Sequence, residues 1–176
     1  MRRLTGFCII LALGVLFLAS GLWASTEAAK PEYVGADKCK VCHKDQHESW
    51  AATKHAKAFS VLSAEEKKKP ECISCHMTGK LADGTALEGI QCEACHGPGS
   101  EYKNIKIMNK KKWEADPAGQ KKLAIEAGLI VPTEKECTRC HKKEGNPNFK
   151  PFDFAKRKGE VHPKLAAKPA ETTGTK

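Results

Sequence analysis

The sequence predicts a mainly α fold of short helices and loops with little sheet, in which side chains alone do not supply the core. Three observations lead there. The chain of 176 residues changes composition near residue 24; beyond it, Leu, Ile, Val and Phe number 21 of 152 residues, or 14%, with 28 basic against 21 acidic side chains. That share and that charge normally belong to a disordered chain, because too little apolar surface is buried to offset the entropy of folding. Next, eight of the nine cysteines fall in four pairs of equal spacing, each followed at once by a histidine. Finally, helix start and stop signals recur at intervals that suit short helices.

The N-terminus comes first. Arg2 and Arg3 precede an unbroken apolar or small stretch, Phe7 to Leu18, and Leu22-Trp23-Ala24 suits cleavage. Residues 1–24 therefore read as a secretory signal peptide, which places the remainder in the periplasm or otherwise outside the cytoplasm. The alternative is an uncleaved anchor: Phe7 to Trp23 is 17 residues, the short edge of what spans a bilayer. Cys8 lies too early for a lipoprotein cysteine and leaves with the signal.

The pairs are Cys39/Cys42, Cys72/Cys75, Cys92/Cys95 and Cys137/Cys140, followed by His43, His76, His96 and His141. Cys-x-x-Cys-His is the attachment motif of c-type haem. Two thiols one helical turn apart can add to the two vinyl groups of one porphyrin, and the next residue sets its imidazole under the iron as proximal ligand. A four-cysteine zinc site from residues 72–95 and a disulfide framework are the competing readings. Both leave four histidines at one fixed position unexplained. Four haem c groups, each with its iron, also supply the missing core. Residues 25–163 are then a domain of short helices and loops wrapped around four covalently attached haems, and 164–176 a disordered polar tail.

Along that domain the motifs begin at 39, 72, 92 and 137, with no fixed period. Asp37 can cap a helix carrying the first motif. Residues 45–62 have helical composition without Gly or Pro. Ala82-Asp83-Gly84-Thr85 reads as the turn of a small hairpin. Gly97-Pro98-Gly99 ends the third motif's helix and lets backbone approach a ring. Asp116-Pro117 opens a helix that Gly128 stops, and Thr133 to Glu136 forms a capping box ahead of the fourth motif.

Four irons have eight axial positions, and the seven histidines leave only His47, His55 and His162 beyond the proximal four. On a continuous helix His55 would lie about 120° around and about 18 Å along from His43, so it serves a different haem. His47, one turn from His43 on the same face, reads as a surface histidine. His162 can fold back onto an earlier haem. Met77 follows His76 on the proximal side and reads as packing. Met108, in a basic loop, is either a sixth ligand or core packing. By this count at least one haem keeps an open position.

CKVCHKDQHESWAATKHAKAF (residues 39–59), GIQCEACHGPG (89–99) and FDFAKRKGEVHP (152–163) resemble segments of the tetrahaem cytochrome c-554 family. The resemblance covers most of residues 33–163. It implies a mainly helical fold with closely packed haems, His55 as distal ligand opposite His141, and His162 opposite His96. It also implies that the haem held by His76 lacks a distal protein ligand. Where the family takes a histidine for the first haem, the loop 100–113 has none, and Met108 stands near that place.

The function expected first is electron carriage between redox partners. The second is reduction of a small molecule of the nitric oxide type at the open iron of the His76 haem. The third is a haem filament, one subunit supplying a ligand to the next. Lysine clusters at 67–69, 110–112 and 121–122 read either as solvated faces or as docking sites for an acidic redox protein. Nucleic acid is not an expected partner; peripheral contact with a membrane is.

Overall fold

A computed structural model describes residues 30–163. The expected signal at 1–24, Cys8 and the tail at 164–176 lie outside the described residues. Among the described residues the chain is mainly helical, as expected, and no helix is long and apolar enough to cross a membrane.

Helix α1, Ala36–Lys40, carries Cys39 in its last turn. Its N-cap is Gly35, not Asp37, which sits inside the first turn. The expected Asp37 cap is thus corrected: the α1 N-terminus is held from outside, Ala36 N–H donating to the Gln91 side chain at 2.9 Å. Helix α2, Lys44–Ala51, is shorter than expected. Residues 52–62 instead form successive turns closed by bonds such as Ala58 N–H to His55 O, 3.2 Å, and Ser60 N–H to Lys57 O, 3.1 Å. Two outside partners account for the break. Trp50 Nε1 donates to Ile90 O at 2.7 Å. Ile90 N–H donates to His55 O at 2.9 Å, taking a carbonyl that a continuing helix would need.

A 3-10 turn, Glu66–Lys68, leads into α3, Pro70–His76, which starts with proline as helices tolerate. Strands β1, Met77–Lys80, and β2, Ala86–Glu88, form the expected antiparallel hairpin, with a register shift between Met77 and Gly79. Its turn is held by Gly84 N–H to Leu81 O and Thr85 N–H to Asp83 Oδ1, both 2.9 Å. Helix α4, Cys92–His96, is the third motif itself. Helix α5, Lys110–Ala115, is capped by Asn109; α6, Pro117–Glu126, by Asp116, whose carboxylate accepts Gly119 N–H at 2.9 Å. Helix α7, Glu134–Thr138, has its capping box: the Glu136 carboxylate accepts Thr133 N–H at 2.7 Å. Helix α8, Phe154–Arg157, and a 3-10 turn, Lys158–Val161, end the described chain.

Gly97 ends α4 with φ +79°, a conformation that suits glycine. A Cβ there would stand 2.7 Å from the carbonyl oxygen of Gly128. Backbone therefore approaches closely at this loop. The fully apolar interior is small. Among the described residues the buried apolar side chains are Ala36, Leu87, Tyr102 and Ala124, and the largest side chains wholly out of solvent are Glu93 and Ser49.

Candidate functional site

Each of the four motifs folds as one helical turn. In the first, His43 N–H donates to Cys39 O at 2.9 Å; in the fourth, His141 N–H donates to Cys137 O at 3.0 Å. The second ends α3 and the third is the whole of α4. One turn brings residues three and four apart onto one face. The thiol pair and the imidazole of each motif therefore share a side, as attachment to one porphyrin demands.

The fold then brings the motifs together out of sequence order. The Cys39 and Cys92 thiols lie close together, and the Cys39 thiol, which donates to Gly35 O at 3.8 Å, is pushed far up by that neighbour and by burial. Cys140 is pushed up to about 12, first by burial and then by its bond to Cys75. Cys95 is raised mainly by burial, with Cys137 adding. The first motif thus touches the third, the third approaches the fourth, and the fourth touches the second. Arg139, between the cysteines of the fourth motif, also donates to Ala94 O in the third. Among the described residues no two cysteines are joined by a disulfide, and no group of three or more His, Cys, Asp or Glu side chains gathers around a point.

Cys42 is exposed, whereas the other seven cysteines are half-buried. The reason is local. Helix α1 ends at Lys40, and residues 41–43 continue as a turn at the surface, where Val41 is 81% exposed and His43 is exposed too. Cys39, one turn earlier, points into the joint with Cys92; no side-chain hydrogen bond carries Cys42 there among the described residues. The spacing to Cys39 and His43 that attachment needs is kept, but the outer edge of the first motif faces solvent.

The imidazoles are oriented from behind. His76 Nδ1 lies 2.6 Å from Ala58 O, and His96 Nδ1 lies 3.2 Å from Ile130 O. A carbonyl only accepts, so Nδ1 carries the proton and Nε2 keeps its lone pair free, the usual device for orienting a metal-binding histidine. Burial pushes His96 below the ordinary imidazole value. The Ile130 bond opposes this, and the neighbouring His162 and His43 add to it.

His55 and His141 face each other with ring centroids 6.1 Å apart. Two imidazoles on opposite sides of one metal, each bonded at about 2 Å, place their centroids on the order of 6 Å apart. Burial lowers His55 first, and the neighbouring His141 lowers it further. Phe152 stacks on the His141 ring at 4.6 Å and 15°. His162 lies beside the backbone of Gln46 and close enough to His96 to perturb it, and its Nδ1 is buried with no hydrogen-bond partner among the described residues. These residues fit the expected group: paired thiols one turn apart, imidazoles with a free nitrogen, and two rings spaced for one metal between them.

Other candidates are placed differently. His47 is half-buried with its ring against Trp50, 5.3 Å between centroids. Met77 begins β1, paired with Glu88. Met108 is half-buried at the turn before α5, where its N–H donates to Asn104 O at 2.8 Å. No ring or hydrogen-bond contact joins it to His43 among the described residues. A cavity of about 280 Å³ is lined by His76, His141, Asn146, Asn148, Phe149, Lys150 and Arg157.

Sequence reasoning passed over the Ala58 and Ile130 carbonyls, and Glu93, which lies between the two cysteines of the third motif. Backbone oxygens carry no sequence signal. The position of Glu93 inside a haem motif was visible, but an acid there gives no sign that it is buried.

The sequence model of the family described as "Cytochrome c554 and c-prime" matches residues 38–97, which hold the first three motifs. The cytochrome c-554 of Nitrosomonas europaea is 31% identical over 169 positions, taking in 80% of this chain and 69% of that protein. The solved reduced-state structure of cytochrome c554 from Nitrosomonas europaea is similar with a TM-score of 0.50 at 26% identity, covering 77% of this chain and 78% of that one.

Proposed function

Because the chain belongs to the cytochrome c-554 family, we propose that it carries electrons outside the cytoplasm through four covalently bound haems. The observation that carries this reading is the closeness of the motifs, first to third, third to fourth and fourth to second, with Arg139 of the fourth donating to Ala94 O of the third. Sites linked in this way form a continuous relay. When bound, each haem iron supplies a one-electron couple.

The chain's residues divide the work. Cys39/Cys42, Cys72/Cys75, Cys92/Cys95 and Cys137/Cys140 anchor the rings, Cys42 doing so from the solvent side of its motif. His43, His76, His96 and His141 ligate from the proximal side. His55 completes the site opposite His141, supported by the 6.1 Å spacing of the two rings. His162 serves the His96 site, supported by its buried unpartnered nitrogen. Met108 is proposed for the His43 site on the resemblance alone. Export as a signal-bearing precursor and docking to an acidic redox protein complete the proposal.

The test is a haem count by the pyridine haemochromogen method on the exported protein, followed by stopped-flow mixing with a reduced small carrier. Four haems that reduce within the mixing series support the relay. Fewer haems, or haems that exchange no electrons, would sink it. A second reading, small-molecule binding at the His76 iron, rests on the shortage of histidines and on the resemblance, which leaves that haem without a distal protein ligand. Carbon monoxide added to the reduced protein should then perturb about one haem.

A further inference from the structure

Glu93 is the largest side chain held wholly from solvent among the described residues, 1% exposed. A buried acid is expensive unless its charge is met by hydrogen bonds or a partner ion. Here the partners are all backbone amides. Oε1 accepts Gly99 N–H at 2.6 Å and Val34 N–H at 3.0 Å; Oε2 accepts Gly35 N–H at 2.7 Å and Val34 N–H at 3.1 Å. No lysine, arginine or histidine pairs with it among the described residues. Both oxygens meet only donors, an arrangement that suits the acceptor-only anion, since a protonated carboxyl would aim a donor at a donor. The amides solvate the charge without cancelling it.

Its place matters as much as its charge. Glu93 sits between Cys92 and Cys95, and its bonds reach back to Val34 and Gly35, just before α1. The two thiols nearest this joint, Cys39 and Cys92, touch each other. Tyr102 lies over the same spot, its hydroxyl donating to Gly97 O at 2.9 Å. A full negative charge is thus fixed in a water-poor joint between the first and third attachment motifs. The acids beside the second and fourth motifs, Glu71 and Glu136, are exposed and half-buried respectively, so neither charge is shut away from water as that of Glu93 is.

We propose that Glu93 is a positioning residue that sets the potentials of the two haems attached at Cys39/Cys42 and Cys92/Cys95, holding both lower than they would be without its charge. A haem iron loses one positive charge when it takes up an electron. A nearby fixed anion favours the more positive, oxidised state, and a low-dielectric surrounding strengthens the effect. The relay is thereby biased: electrons rest on the second and fourth haems in preference to the first and third. This inference rests on the four-haem reading above.

The test uses two near-isosteric changes of opposite sign in the haem-loaded protein, followed by a redox titration monitored by EPR and visible absorption. Glu93→Gln removes the charge and should move two of the four potentials upward, leaving two in place. Gln91→Glu adds a charge at the same joint. The Gln91 side chain already accepts Ala36 N–H, and its amide donates to the partly exposed Glu88 carbonyl at 3.1 Å. This variant should move the same two potentials downward. A purely structural role for Glu93 would lower thermal stability and leave all four potentials unmoved, which would overturn the proposal. If Glu93→Gln does not take up haem, Gln91→Glu decides alone: a downward shift supports the proposal and an unchanged titration refutes it. A wild-type protein without four haems would instead refute the underlying four-haem reading.

Discussion

Ala58 contributes only a carbonyl oxygen, 2.6 Å from His76 Nδ1, yet that contact fixes which ring nitrogen is free to bind metal. His55 instead faces a second ring, His141, with centroids 6.1 Å apart. His55→Ala should leave the haem count unchanged, because attachment is through thiols. It should convert about one haem from low-spin to high-spin in the EPR spectrum of the oxidised protein, since a lost axial ligand weakens the field at that iron. An unchanged spectrum would remove His55 from the ligand set. The attachment residues were legible in the sequence because their chemistry is local: two thiols and an imidazole at fixed spacing. Their surroundings were not, and Cys42 shows it: the motif gives no sign that its second thiol is exposed while Cys95, at the same place in the third motif, is half-buried. Nor were the residues behind the imidazoles legible, because Ala58 and Ile130 act through backbone that every sequence possesses.

Short helices here depend on their ends, since isolated segments of five to ten residues are marginal in water. The box ahead of α7 is the clearest case, and sequence alone located it. Thr133→Ala should cost about 1 kcal/mol, the usual effect of losing such a cap. Chemical denaturation of the haem-loaded protein would measure it. The Glu136 carboxyl is held below its ordinary value of 4.5 by its bonds to the Thr133 backbone and hydroxyl. A carboxyl depressed in the folded state stabilises above its unfolded pKa and loses that contribution as pH falls through the folded one. The difference between Thr133→Ala and wild type should therefore be full at neutral pH and shrink in acid below about pH 4.5. Gly97→Ala should be more damaging, on the order of 2 kcal/mol or more, because the positive φ and the Gly128 carbonyl both resist a side chain. A melting temperature within a degree of wild type would contradict that. The end of α2 at Ala51 was not legible. Residues 45–62 are locally suited to helix, and only Ile90, distant in sequence, claims the His55 carbonyl and the Trp50 indole.

Across the whole molecule, the contact order of the motifs, first to third to fourth to second, could not be read from intervals of 33, 20 and 45 residues. It follows from loop closures that sequence spacing does not determine. The excess of basic side chains beyond residue 24, 28 against 21 acidic, was legible and bears on partners. Electron exchange with an acidic carrier should slow steeply as ionic strength rises, since the Debye length falls to about 8 Å at 0.15 M. Exchange with a basic carrier should show the opposite trend, and a flat salt dependence for both would exclude the lysine faces from docking. The sparse side-chain core has a bearing on biosynthesis. Among the described residues only Ala36, Leu87, Tyr102 and Ala124 form a buried apolar interior. On the proposed function, so little apolar burial gives the chain slight reason to close upon itself before haem is attached. The eight thiols then remain open to the ligase that must reach them. Folding becomes the last step of manufacture, completed by the pigment that it encloses.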